Sequence, residues 1–506
     1  MNEMTAQFGE FIVSAMKVFG GLMLLILMLL VLWAIVIYII DVTQTDQTIR
    51  RNYPVIGRFR YFFEHLGEFF RQYFFAMDRE ELPFNRAQRS WVYRASKNVD
   101  STVAFGSTDN IASPGTVVFV NCTFPTLGQD AVPPIPITVG EGCKDPYTTS
   151  SFFNISGMSY GAISKPAVLA LSAGAKQAGC WMNTGEGGLS PYHLEGGADI
   201  VFQIGTAKNG VRDLDGNLSD DKLAEVAAHP QVKMFEIKMS QGAKPGKGGI
   251  LPGGKVSEEI AKIRGIPVGQ DALSPNRHVD VNSFDDLLDM VNRVRDITGK
   301  PTGFKMVIGK PGHLDDMLMA VNKRGAEFAP DFITVDGAEG GSGAAPMALI
   351  DSVGMSLKES LPLMIDKLNQ YGLRDRIKVT ASGKLVTPAA VAWALCTGAD
   401  FITSARGFMF SLGCIQALQC NKNTCPTGIT THDPKFQQGL HAETKAIRVT
   451  SYVNNMIKEV GLIAHSCGVK NPRALNRSHA RIVMGDGLTK GMDEIYPDQH
   501  KEASQS

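Results

Sequence analysis

Residues 234–249 read "MFEIKMSQGAKPGKGG". A short apolar run ends in a glycine- and lysine-rich loop, and "VSEEIAKIRG", 256–265, follows with helical character. The same unit recurs along the chain. From about residue 150 the short apolar runs are "FFNISGMSYGA", "CWMNTGEGG", "IVFQIGTAKNG", the run just quoted, "TGFKMVIGKPG", "FITVDGAEGGSGAAP", "IKVTASGKL" and "FITSARG". Helical stretches such as "SFDDLLDMVNRVRDITG" and "TPAAVAWALCTG" lie between them. Eight strand–loop–helix units predict an α/β fold, a (β/α)8 TIM barrel. In that fold the chemistry sits on the loops that follow the strands.

The bulk composition narrows the class. Lys plus Arg is 50 and Asp plus Glu is 50, which leaves no electrostatic case for nucleic acid. Eight cysteines in 506 residues do not read as a disulfide framework and fit a reducing compartment. Val18 to Ile40 carries no charge across 23 residues, enough to cross a hydrocarbon core of roughly 30 Å. A cleaved signal peptide is the rival reading. The acidic start and the missing small-residue cleavage site favour an uncleaved transmembrane helix. Lys17 stands alone before the span, whereas Arg50, Arg51, Arg58 and Arg60 follow it, so the body is expected in the cytoplasm. Phe59, Phe62, Phe63, Leu66, Phe70, Tyr73 and Phe74 then recur at helical spacing. That helix is expected to pack on the catalytic body, with a position at the bilayer surface as the alternative. The expected organisation is a membrane anchor, 1–45; an N-terminal extension packing on the barrel, 46–150; the barrel, 151–435; and a helical C-terminal extension with a polar tail, 436–506.

Residues 413–428, "GCIQALQCNKNTCPTG", hold Cys414, Cys420 and Cys425 with the spacing C-x5-C-x4-C. Together with "GMSYGAIS", "NTGEGG", "QGAKPGKGG", "SP..H.D" and "GGSGAAP", this stretch resembles the synthase domain of glutamate synthase. The resemblance covers roughly residues 150–435, and the N-terminal part is similar to short membrane-attached, stand-alone members of the family. It implies a barrel carrying FMN and a 3Fe-4S cluster that reduces the 2-imino acid formed from 2-oxoglutarate and ammonia, making L-glutamate. The implied partners are 2-oxoglutarate or a related 2-oxo acid, ammonia, an electron-donor protein and membrane lipid, with a homo-oligomer among the allowed forms. An electron-transfer subunit, or a flavin and iron–sulfur enzyme acting on a different 2-oxo or amino acid, is the competing reading.

The residues can also be read by their own chemistry. Three thiolates cannot close a tetrahedral zinc site without a fourth ligand, whereas a cubane lacking one iron needs only three. Cys122, Cys143, Cys180, Cys396 and Cys467 are expected to be structural thiols. FMN needs a phosphate cradle, and Ser382, Gly383, Ala405, Arg406 and Gly407 are candidates for it on the last two strand ends. Gly340 and Gly341 let backbone approach the ligand closely. Lys305 is the candidate cation for the flavin N1/O2 edge. Lys238, Gln241 and Lys244 offer charge and amide donors to a dicarboxylate. The resemblance places Lys244 on the 2-oxo acid and Lys238 and Gln241 in the same FMN–substrate pocket. Glu186 is the candidate acid for ammonium or the imine. Lys247 and Ile250 stand where the long family members carry an acid and a glutamine, so the identity of the 2-oxo acid is open. No Rossmann-type fingerprint for NADPH is present.

Overall fold

The structure is a computed structural model describing residues 2–497, in two compact units, Met1–Arg86 and Ala87–Ser506. In the first unit a helix runs from Asn2 to Thr43. Its segment Gln7–Thr43 contains an 18-residue window of mean hydropathy 3.2 and is long and apolar enough to cross a membrane, a test that an N-terminal signal sequence also passes. Short helix Thr48–Asn52 and amphipathic helix Gly57–Phe70 follow, the latter continued by a π-turn over Arg71–Phe75.

The second unit holds a closed barrel of eight parallel strands. They are β1 (Phe153–Ile155), β2 (Trp181–Asn183), β3 (Asp199–Ile204), β4 (Val232–Lys238), β5 (Thr302–Met306), β6 (Phe332–Asp336), β7 (Lys378–Ser382) and β8 (Phe401–Ser404). Each overlaps one of the eight predicted runs, in order, with β3 and β4 starting one and two residues before theirs. The predicted helices appear as Glu258–Arg264, Phe284–Thr298 and Pro388–Thr397.

Register sorts the inward side chains into layers. Trp181, Val201, Met234, Phe332 and Phe401 form an apolar floor with Val139 and Tyr147. The last two belong to an antiparallel hairpin, Ile137–Val139 with Tyr147–Thr149. The Tyr147 hydroxyl donates to Asp199 at 2.9 Å, at the start of β3. The N-terminal end of the barrel is therefore plugged, and polar groups collect toward the other end.

The C-terminal segment forms a long helix, Ala442–Ser466, and two strands, Ala480–Val483 and Thr489–Gly491. Ala480–Val483 pairs antiparallel with Val117–Phe119 and with Thr489–Gly491. The extensions on either side of the barrel thus share one small sheet, a pairing across more than three hundred residues that no local pattern announces. The end of the polar tail, from residue 498, lies outside the described residues.

Candidate functional site at the carboxyl ends of the strands

Above the apolar floor the barrel turns polar around one carboxylate. Glu236 on β4 accepts from Asn183 Nδ2 at 2.8 Å, Gln203 Nε2 at 2.7 Å and Thr334 Oγ1 at 2.6 Å. Glu236 is 4 % exposed, and a charge so buried persists only when its lone pairs are satisfied. β2, β3 and β6 each contribute one donor. This hub was not legible in the sequence, because its partners are 33 to 98 residues away.

One turn further out lies a charged cleft. Register sets Lys238 beside Lys305 on β4 and β5. Lys238 Nζ meets Glu186 Oε1 at 3.1 Å and Gln241 Oε1 at 3.0 Å. Gln241 Nε2 donates to the Gly341 carbonyl at 2.5 Å, tying the loop after β4 to the loop after β6. Gly205 and Gly249 flank Glu186, and a β-carbon at either would collide with its side chain. Burial alone would raise the Glu186 carboxyl. Lys238, then Lys244 and Arg264, outweigh it and hold the carboxyl below its ordinary value.

Lys244 is 4 % exposed, and its ammonium group makes no hydrogen bond or salt bridge among the described residues. Burial lowers its pKa while the Glu186 charge opposes that shift. Two residues of the motif "SP..H.D" support the cleft from behind. His278 Nε2 meets the Lys238 carbonyl at 3.1 Å, and Asp280 pairs at 2.8 Å with the fully buried Lys208. Burial holds His278 near pKa 4, so its ring is neutral and Nε2–H donates, leaving Nδ1 without a partner. Arg264 and Lys208 were not singled out in the sequence. Both are buried cations, and only a tertiary contact shows what they face.

The ends of β5 to β8 form the second half of the mouth. Lys305, 7 % exposed, pairs with Asp336 Oδ2 at 3.2 Å, and the same oxygen accepts from the Gly242 N–H at 2.8 Å. The Gly340 N–H closes a turn on the Gly337 carbonyl, while a β-carbon at Gly341 would press on Arg406. Arg406 Nη2 donates to the Glu339 carbonyl at 2.8 Å, and burial brings its pKa down to about 10. Lys384, in the loop after β7, is lowered by burial and by repulsion from Arg406. Two cations thus share the ends of β7 and β8, where Ser382 is buried, Gly383 takes a φ of +145°, and Ala405 caps the helix that starts at Arg406. Gly407 has a packing reason to be glycine, since a β-carbon there would meet the Tyr452 hydroxyl.

Helix Arg406–Leu412 leads into the cysteine loop. Cys414, Cys420 and Cys425 are all free thiols, as are the other five cysteines. Long-range contacts hold the loop. The Tyr93 hydroxyl donates to the Cys414 carbonyl at 2.6 Å. The buried Lys255 ammonium donates to the carbonyls of Cys420 at 2.8 Å and Thr430 at 2.5 Å. Gln416, Leu418 and Asn423 carry φ of +59°, +54° and +60°, a left-handed backbone that costs roughly 1–2 kcal/mol in most residues. The Gln416 N–H points at Cys414 Sγ, 3.4 Å away. Burial pushes the Cys414 thiol up to about 12 and raises Cys420 as well. At Cys425 burial acts the same way, but the Thr427 and Thr430 hydroxyls and backbone N–H groups outweigh it and lower the thiol. Among the described residues no three His, Cys, Asp or Glu side chains are arranged as a metal site.

Comparison with known proteins agrees with this architecture. A family model described as the conserved region in glutamate synthase matches residues 126–470. The glutamate synthase large subunit-like protein YerD of Bacillus subtilis (strain 168) is 39% identical over 498 residues, 91% of this chain and 94% of that protein. The archaeal-type glutamate synthase (NADPH) of Thermotoga sp. (strain RQ2) is 34% identical over 333 residues, and the match spans 65% of this chain and 62% of that protein's length. The glutamate synthase large subunit-like protein of Rhizobium meliloti (strain 1021) is 30% identical over 343 residues, 64% of this chain and 73% of that protein.

Proposed function

The chain belongs to the glutamate synthase family, and on that premise we propose that it is a membrane-anchored oxidoreductase that reduces the imine of 2-oxoglutarate and ammonia to L-glutamate, with FMN and a 3Fe-4S cluster as cofactors. The observation that carries this reading is the charge of the cleft. Glu186 is faced by Lys238, Lys244 and Arg264, which leaves positive charge in excess, and Lys244 is desolvated without a partner. A keto-dicarboxylate supplies the two missing negative charges.

In this reading Lys244 binds a substrate carboxylate and Gln241 adds an amide donor. Glu186, kept ionised by Lys238, holds ammonium and moves a proton at the imine nitrogen. Condensation of the 2-oxo acid with ammonia releases water. Reduction of the resulting C=N bond takes two electrons and two protons. FMN, when bound, supplies those two electrons. The chain has the parts to hold it. The mutually repelling Lys384 and Arg406 fit a phosphate, with Ser382, Gly383, Ala405 and Gly407 around them and Gly340 and Gly341 alongside. Lys305, fixed by Asp336, is the cation for the flavin's N1/O2 edge.

Cys414, Cys420 and Cys425 are the assigned cluster ligands. The loop fits an anionic cluster in its donor set, in the N–H aimed at Cys414, in the Lys255 cation beside it and in the Thr427 and Thr430 hydroxyls that face the thiols. A cluster there would relay single electrons from a donor protein. Residues 151–435 carry the reaction. The helix Gln7–Thr43 is the anchor, with the arginines after it placing the body in the cytoplasm.

The test is anaerobic. Full-length protein reduced with dithionite is mixed with 2-oxoglutarate and ammonium, and reoxidation with formation of glutamate is expected. A panel of other 2-oxo acids is run beside it, because Lys247 and Ile250 alter the loop. If no 2-oxo acid reoxidises the protein, the reaction assigned here is wrong. Iron analysis and EPR on wild type and Cys420→Ser decide the cluster separately.

A further inference from the structure

The helical stretch from Gly57 to Phe75 presents an exposed aromatic face. Phe59 is 58 % exposed, Phe62 58 %, Phe63 61 %, Tyr73 51 % and Phe74 74 %. At 100° per residue these side chains, with Leu66 and Phe70, fall on one arc of roughly 120°. Arg60, Glu64, Arg71 and Gln72 occupy the other side, with the terminal Phe75 among them. A contiguous aromatic surface of this kind is unfavourable in water and marks a contact site.

A second observation says where that face lies. Asp41, in the last turn of the apolar helix, is fully buried. Its carboxylate accepts from Arg50 Nε at 2.9 Å, from Arg58 Nη2 at 2.8 Å and Nε at 3.0 Å, and from the Val55 N–H at 3.0 Å. The Val55 backbone takes a φ of +67° to make this elbow. Arg58 belongs to the aromatic helix, so the start of that helix is clamped to the end of the span. If Gln7–Thr43 crosses the bilayer, the aromatic face begins at the level of the lipid headgroups.

We propose that Gly57–Phe75 lies in the membrane interface, with Phe59, Phe62, Phe63, Tyr73 and Phe74 inserted among the headgroups and upper acyl chains and the charged side turned to water. Aromatic rings favour that depth. This rests on the anchor reading above. The occupant of the face is lipid, not a second copy of the chain: the clamp to the span delivers the helix to the bilayer, and rings flanked by arginine suit a headgroup layer.

The experiment uses the full-length protein in nanodiscs containing lipids brominated near the headgroup or deep in the chain. Wild type against Trp33→Phe reports whether the span is in the bilayer. In the Trp33→Phe background, Phe62→Trp, Phe74→Trp and Glu64→Trp report the helix. The expected result is blue-shifted emission for the Phe62→Trp and Phe74→Trp signals, with a loss of about half or more of their intensity to shallow bromines. Glu64→Trp emits at longer wavelength and is little quenched. Red, unquenched emission at both aromatic positions would place them in water and overturn the proposal. Blue-shifted but unquenched emission would mean a protein partner covers the face, and equal quenching of all three would mean no oriented face; either also overturns it. If Trp33 itself escapes deep quenching, the anchor reading falls and the interfacial helix with it. If only the helix positions escape, the anchor stands alone.

Discussion

The loop after β4 and the loop after β8 build their chemistry in opposite ways. Around the first, charged groups satisfy one another across strands. Lys238 pairs with Glu186, Lys305 pairs with Asp336, and Gln241 locks onto the Gly341 carbonyl. Around the second, the thiols form no disulfide. Three non-glycine residues sit in the left-handed region, and the anchors come from outside, from Tyr93 and Lys255. The first region is preorganised by strand register. The second is a strained loop held in place by distant residues.

The largest expected break of that contrast is in the barrel. Glu236→Ala leaves Asn183, Gln203 and Thr334 with buried donors that have lost their acceptor. Leaving buried donors unsatisfied costs about 1–3 kcal/mol. Urea unfolding of the detergent-solubilised protein measures it. A loss below about 1 kcal/mol would show that the strands do not depend on this hub.

Lys244→Ala tests the cleft with little change to its frame, because the Lys244 ammonium makes no hydrogen bond or salt bridge among the described residues and acts on Glu186 through charge alone. Stability is expected to hold while KM for 2-oxoglutarate rises roughly 10- to 150-fold, the loss of a charge-assisted contact of about 1.5–3 kcal/mol. Lys305→Ala should act differently. It strips the partner of Asp336, and so weakens retention of the flavin whatever 2-oxo acid is offered. Equal KM effects from the two variants would erase the distinction between substrate cation and cofactor cation.

Acid probes the support behind the cleft. His278 is held near pKa 4 in the fold against 6.5 when free, because burial disfavours its charged form. A group with a depressed cationic pKa favours folding fully above the unfolded value and loses that contribution as pH falls. Stability should therefore drop between about pH 6.5 and 4, by an amount on the order of 1–3 kcal/mol for this ring. His193, also near 4, adds to the same limb. In His278→Gln part of the decline should vanish, as read from the pH dependence of the unfolding free energy.

The smallest effect belongs to the cysteine loop. Leu418 is 68 % exposed and adopts a φ of +54°, so Leu418→Gly removes backbone strain at little cost in packing. A gain of about 1 kcal/mol in stability is expected. A loss instead would show that the exposed leucine makes a contact that outweighs its backbone.

The local code of this chain was readable from its own letters. A short apolar run followed by glycine is a property of neighbours, and each of the eight strands formed where such a run stood. The span, the aromatic helix and the cysteine spacing are equally local. Candidate residues such as Glu186, Lys238, Lys305 and Arg406 could be named because they sit on loops or strand ends beside those signals. What each of them touches could not. Lys238 finds Glu186 fifty-two residues away in the chain, as the numbering shows, and Lys305 finds Asp336 through the register of β5 on β6. Glu236, Arg264, Lys384 and the Asp41 elbow carry no sequence signal, because an isolated charge in a strand or loop looks the same whether its partner is water or a buried amide. The closing of the barrel brings those partners together, and a side chain's charge state and hydrogen bonds depend on what surrounds it in space, which the order of residues along the chain does not specify.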